Sequence, residues 1–312
     1  MPPWQLYMEK IISYQNKKIV YHTYGSGKSV MLVHGFGEDW KIWSQQTVFL
    51  KDKFHIIVPE LPGTGESETI EDMSMEGMAE VLHAIIHEEM PPQTPPKEGL
   101  RKAQGQLTEK SITKEKSNLS ESPKVLPPGE DLGGACTMIG HSMGGYITLA
   151  LAEKYWNHLD AFGLIHSTAF ADNEEKKSSR KKGIEFIKQY GAFEFLKTIT
   201  PNLFSPDSQL QIADSINKHI SNLAGFSPDS LIAYYHAMMQ RPDRTDILKN
   251  TDKPVLFIAG TFDIAVPIED SLKQCHLPVQ CHFHVLKKSG HMGMMEEPEK
   301  INRFLEEFLS GY

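Results

Sequence analysis

The chain has 312 residues, about 40% of them hydrophobic and 23% charged, a balance that supports a sizeable globular core. Its net charge of −8 argues against a nucleic-acid partner, which needs a basic face, and no run approaches the roughly 20 apolar residues of a membrane span. Three cysteines (Cys136, Cys275 and Cys281) are too few and too odd for a disulfide framework, and Met1–Gln5 shows no charged-then-apolar leader, so the expected setting is reducing and cytoplasmic.

In chain order, Ile19–His22, Val30–His34 and Phe54–Val58 read as short β-branched strands, with a helix over Trp40–Leu50 between the last two. Met73–Met90 carries Met78, Val81, Leu82, Ile85 and Ile86 at helical spacing. Ala135–Gly140 reads as a strand and Gly144–Trp156 as the helix that follows it. Ala161–Ile165, Pro254–Ala259 and Cys281–Leu286 are further strands, and Pro298–Leu309 closes the chain as a helix with Ile301, Phe304, Leu305 and Phe308 in one stripe. Strands alternating with helices predict an α/β fold with a mostly parallel central sheet, covered by helices on both faces.

Two segments break the alternation. Pro91–Gly134 is rich in Pro, Lys, Glu, Ser and Gly, has no aromatic residue, and reads as a flexible insertion with too little apolar surface to offset ordering entropy. It joins a helix end to a strand start, so it should emerge on the face opposite the site. The second segment, 168–249, is helical throughout, with helices expected over Gly183–Thr198, Ser208–Asn222 and Ser227–Gln240. It predicts a helical cap on a core made of 1–167 and 250–312.

The chemistry-bearing residues fall at the ends of these strands. Gly140-His141-Ser142-Met143-Gly144 follows a strand and opens a helix, the context of a G-x-S-x-G nucleophile elbow. His34-Gly35-Phe36-Gly37 ends an earlier strand, and its Phe36 amide, paired with that of Met143, would form an oxyanion hole. A serine hydroxyl needs a base. Of the 14 histidines, His291 in Ser289-Gly290-His291 is preferred because it follows a strand and precedes the last helix. Asp263, after the strand Pro254–Ala259, is the acid expected to orient it, and Asp172 is the alternative. The cap offers Phe193, Phe204, Tyr234 and Met238 as a pool of pocket residues. Cys275-His276 and Cys281–His284 read as one strand face and its lead-in, not a zinc site. Lys176–Lys182 reads as a solvated helix face.

With Leu61–Ser67, Gly260–Asp263 and Gly290-His291, these motifs resemble the ordered signature of the α/β-hydrolase superfamily. Within it, the chain is similar to capped esterases and 3-oxoadipate enol-lactonase-like enzymes. That pattern usually has Asp where Glu60 stands, a change expected to be structural. The resemblance implies a serine hydrolase that cleaves a small carboxylic ester, thioester or lactone through an acyl-enzyme, with no cofactor and no metal. The expected partner is a small-molecule substrate, and a homodimer is left open. A lyase or ligand receptor on the same fold, or a scaffold that uses the insertion, are the competing classes.

Overall fold

The computed structural model describes residues 7–90 and 134–311. The expectations for the amino-terminal five residues and for the insertion, except Gly134, lie outside these residues. Eight strands form one sheet: β1 (Tyr7–Tyr14), β2 (Lys17–Tyr24), β3 (Lys28–Val33), β4 (Phe54–Pro59), β5 (Cys136–His141), β6 (Leu159–Ile165), β7 (Val255–Gly260) and β8 (Cys281–Leu286). Their order is β1-β2-β4-β3-β5-β6-β7-β8. β1 and β2 pair antiparallel, as do β2 and β4, and the six strands from β4 to β8 are parallel.

Helices α1 (Ser44–Leu50), α2 (Met75–Glu89) and α3 (Met143–Lys154) precede a helical run between β6 and β7. That run holds α4 (Glu174–Tyr190), α5 (Ala192–Ile199), α6 (Pro206–Gln211), α7 (Ala213–Asn222), α8 (Pro228–Gln240) and α9 (Thr245–Asn250). The short helices α10 (Ile268–Leu272) and α11 (Gly293–Glu296) lead to the final α12 (Pro298–Ser310). No helix among the described residues is long and apolar enough to cross a membrane.

The strand sequences explain the layering. Side chains alternate across a strand, so in β3 Met31 and Val33 face a core shared with α2 and α3, whereas Val30 and Leu32 face one shared with Trp43 and α12. Every residue of β5 and β7 is buried, as expected of strands covered on both faces. In α12, Ile301, Leu305, Phe308 and Leu309 are buried. Phe304 lies at the margin of that stripe and stacks on His284 of β8 at 4.0 Å.

Three elements differ from the sequence reading. β1 was not expected. It is an edge strand with no buried residue, and Gln15 (φ 50°) and Asn16 (φ 63°) join it to β2 in a hairpin that lacks the glycine such turns favour. The expected Gly183–Thr198 helix is two helices: α4 starts nine residues earlier and Gly191, at φ 88°, ends it. The expected Ser208–Asn222 helix likewise breaks at Ile212 into α6 and α7.

Because six strands are parallel, the turns after β3, β5, β6, β7 and β8 gather at one edge of the sheet. The chain leaves β3 toward β4 on one side, and β5 joins β3 on the other, so the turns after β3 and β5 flank the crevice where ligands bind in open α/β sheets. At the opposite edge, the flanks of the insertion meet: a side chain on Gly134 would lie 3.8 Å from Met90. Joining residue 90 to 134 through about four Gly/Ser residues is expected to leave folding intact. The shorter loop should raise the urea-unfolding free energy by about 2 kcal/mol through reduced closure entropy, and a loss of stability would contradict this.

Candidate active site

Ser142 occupies the turn between β5 and α3 at φ 50°, ψ −116°, a strained backbone for a residue with a side chain. The glycines on each side make the turn feasible. A Cβ on Gly140 would stand 2.4 Å from the backbone of Gly144, and one on Gly144 would stand 2.4 Å from the Val33 carbonyl. Met143 is the first residue of α3, so its amide has no acceptor within the helix. On the other side of the crevice, Phe36 stacks on Tyr235 of α8, with ring centres 4.3 Å apart.

A buried carboxylate ties these turns together. One oxygen of Glu38 accepts hydrogen bonds from the Gly35 amide (2.7 Å) and from His141 Nδ1 (2.9 Å). The other ring nitrogen of His141 donates to the carbonyl of His291 at 2.9 Å. Both nitrogens of His141 therefore face acceptors. Burial opposes the charged form of Glu38, but the charge and hydrogen bond of His141 and the Gly35 amide prevail and hold its carboxyl below the usual range.

His291 Nδ1 donates to Asp263 Oδ2 at 2.8 Å, which leaves Nε2 as the proton-accepting nitrogen. The other oxygen of Asp263 accepts from the amides of Ala265 (2.9 Å) and Val266 (2.8 Å). Asp263 is buried, which favours its neutral form, yet the positive charge available at His291 and the hydrogen bond from His166 hold the carboxyl well below the usual range. Burial works against the imidazolium of His291, but the charge of Asp263 outweighs it and raises its pKa. The loop is fixed by Glu296, which accepts from the amides of Gly290 and Met292, and by the Leu203 carbonyl, which accepts from the His291 amide at 2.6 Å.

Ser142 and His291 border one cavity of about 820 Å³ beneath the cap helices, together with Phe36, Tyr235, Met238 and Arg180. Of the aromatic and methionine pool, Met238 reaches this cavity, whereas Phe193, Phe204 and Tyr234 do not line it. Phe193 and Phe204 pack into the core beside α12, and the hydroxyl of Tyr234 turns away to the Pro62 carbonyl at 2.6 Å. Phe195, two residues after Phe193, and Tyr235, one after Tyr234, line the cavity instead, because each residue along a helix turns the side chain by about 100°.

Asp172 is not beside His291. Arg180 (2.5 Å) and Arg241 (2.8 Å) grip it. The run Lys176–Lys182 is thus not a plain solvated face: Arg180 turns inward from it, since α4 starts early enough to carry the run across Asp172. Glu60 accepts from the Glu66 amide and pairs with His22 at 2.8 Å, which fixes the 61–67 loop. His282 and His284 rest on Phe308 and Phe304 of α12.

The sequence reading overlooked Glu38, Glu296 and His166. His166, at φ 49°, gives Asp263 Oδ2 a second imidazole donor at 3.0 Å, while its own Nε2 is buried without a partner. Its signal was its place directly after β6, at the edge where the other turns gather.

Fold and site together define a class, an open α/β sheet with a serine on a strained strand-to-helix turn and a buried histidine–carboxylate pair beside it. The chain belongs to the alpha/beta hydrolase family, whose model matches residues 30–304. A thermophilic esterase from Thermogutta terrifontis is 27% identical, with a TM-score of 0.78 over 97% of this chain and 98% of that one. The pimeloyl-(acyl-carrier protein) methyl ester esterase of Vibrio cholerae is 21% identical over 290 residues, which span 91% of this chain and 95% of the relative. The enol-lactonase of Burkholderia xenovorans shares the fold, with a TM-score of 0.76 at 15% identity over 96% of this chain and all of that one.

Replacing Glu38 by Gln removes the buried carboxylate charge that anchors the Gly35 amide and His141. Urea denaturation is expected to report a loss of about 1.5–3 kcal/mol at neutral pH from the weakened hydrogen bonds to the buried charge. The folded-state pKa of Glu38 lies below its ordinary 4.5, so the wild-type advantage should be complete above that pH and vanish as the pH falls through the lower folded value. An advantage that does not depend on pH would contradict the charge argument.

Proposed function

We propose that the protein is a serine hydrolase that cleaves a small carboxylic ester, thioester or lactone through an acyl-enzyme intermediate. The observation that carries this reading is the His291–Asp263 hydrogen bond of 2.8 Å, combined with Ser142 and His291 bordering one cavity. The family and the esterase and lactonase relatives support the reaction class.

In this mechanism Ser142 Oγ attacks the acyl carbon while His291 Nε2 takes its proton. Asp263 holds the imidazole in the tautomer with Nδ1 protonated and stabilises the cation that forms. The amides of Phe36 and Met143 receive the developing oxyanion, aided by the amino terminus of α3. The imidazolium then protonates the leaving group. A water molecule, deprotonated by His291, attacks the acyl-enzyme and releases the acid. A cavity of about 820 Å³ fits a small organic substrate.

A fluorophosphonate probe should label the wild type at Ser142 and leave Ser142→Ala unlabelled. With p-nitrophenyl acetate, Ser142→Ala and His291→Ala are each expected to lower kcat by about 10³-fold or more, and Asp263→Asn by about 10⁴-fold through the wrong tautomer. Undiminished turnover in Ser142→Ala would overturn the reading.

The pH profile provides a separate check. His291 must be neutral to act as a base, and its pKa is raised above the ordinary 6.5 by Asp263. For a neutral ester, kcat/KM should therefore rise with pH through a single ionisation whose midpoint lies above 6.5. Asp263→Asn, which removes the charge that raises it, should move that midpoint down. A midpoint well below 6.5 in the wild type would contradict the assignment of His291 as the base.

A further inference from the structure

At the sheet edge opposite Ser142, three imidazoles converge. His83 and His87 stand one turn apart on α2, and His158 ends the short turn Trp156–His158 that leads into β6. Spacing of i, i+4 puts the first two on one helix face, and α3, which packs along α2, delivers the third. The ligand nitrogens of all three lie within 4.8 Å of one another.

The ring geometry suits a shared ion. The ring centres are 4.7 Å (His83–His87), 4.8 Å (His83–His158) and 5.4 Å (His87–His158) apart. A metal held in the ring plane at about 2.0–2.1 Å from nitrogen sits about 3.2 Å from the ring centre, so three imidazoles at angles of about 90–115° would have centres about 4.5–5.4 Å apart. The three measured separations fall in that range.

His83 is set up as a ligand. Its ring stacks on Tyr155 at 3.5 Å and 7°, and Tyr155 is anchored through its hydroxyl to Glu80, which Lys154 also engages. Its Nε2 is buried and has no hydrogen-bond partner, although buried polar atoms normally have one.

We propose that His83, His87 and His158 form a binding site for one divalent ion of the zinc class, with solvent completing its coordination. An all-imidazole donor set suits Zn²⁺, Ni²⁺ or Cu²⁺ and not Mg²⁺ or Ca²⁺. The ion would fasten α2 to the turn before β6, far from Ser142, and so acts on stability.

The test uses the full chain after treatment with a chelator, titrated with ZnCl₂ by calorimetry and with CoCl₂ by visible absorption. One equivalent should bind and raise the thermal midpoint. His87→Ala, which alters an exposed ligand and spares the core, and His158→Ala should each weaken binding about tenfold or more. His291→Ala should bind like the wild type, which separates this site from the other close group of potential ligands, His166, Asp263 and His291. MgCl₂ should give no effect. Affinity unchanged in the His87→Ala/His158→Ala double variant, binding lost in His291→Ala, or no binding by the wild type would each overturn the proposal.

Discussion

The carboxylate of Glu38 is the point on which the site's geometry hangs. Its one oxygen holds the turn after β3 through Gly35 and the end of β5 through His141, and His141 passes the constraint to the turn after β8 through the His291 carbonyl. Three loops that are distant in sequence are thereby fixed to one another by hydrogen bonds that bypass the side chains of Ser142 and His291. Groups brought to one edge from several loops keep a fixed geometry only with such support. A buried charge suits the task, because a partly broken network is far less stable than an intact one.

The same edge of the sheet carries unfavourable conformations that only a rigid frame sustains. Ser142 and His166 both adopt left-handed backbone angles, and they follow the adjacent strands β5 and β6. Ser167 Oγ donates to the Ser142 carbonyl at 2.7 Å, which joins the two strained turns. Asp263 then receives four donors, two amides and two imidazoles. A carboxylate so fully engaged cannot rotate, and the imidazole of His291 inherits that fixity.

The strand–helix alternation and the turns at strand ends were legible in the sequence because they arise from local rules. β-branched runs, a G-x-S-x-G turn and a glycine before His291 each declare themselves within a few residues. What stayed hidden depends on pairing across the chain. β1 was missed because edge strands bury little and its turn uses Gln15-Asn16. Glu38 carries no local signal, because its partner His141 lies 103 positions away in the chain. Arg180 sat in a charged run whose inward face only the early start of α4 reveals. Tyr234 and Tyr235 are both aromatic and both in the cap, and nothing in their identity tells which one faces the cavity.

The two edges of the sheet are built on different physics. At the carboxyl edge, charge is spent on fixing groups, and nearly every polar atom of Asp263, Glu38 and His141 is engaged. At the amino edge, His83, His87 and His158 are crowded together, among the described residues no carboxylate joins their group, and one buried nitrogen has no partner there. An ion among them would engage all three rings at once. The contrast is between a histidine bound to a buried acid and a set of three histidines that crowd one another at the other edge.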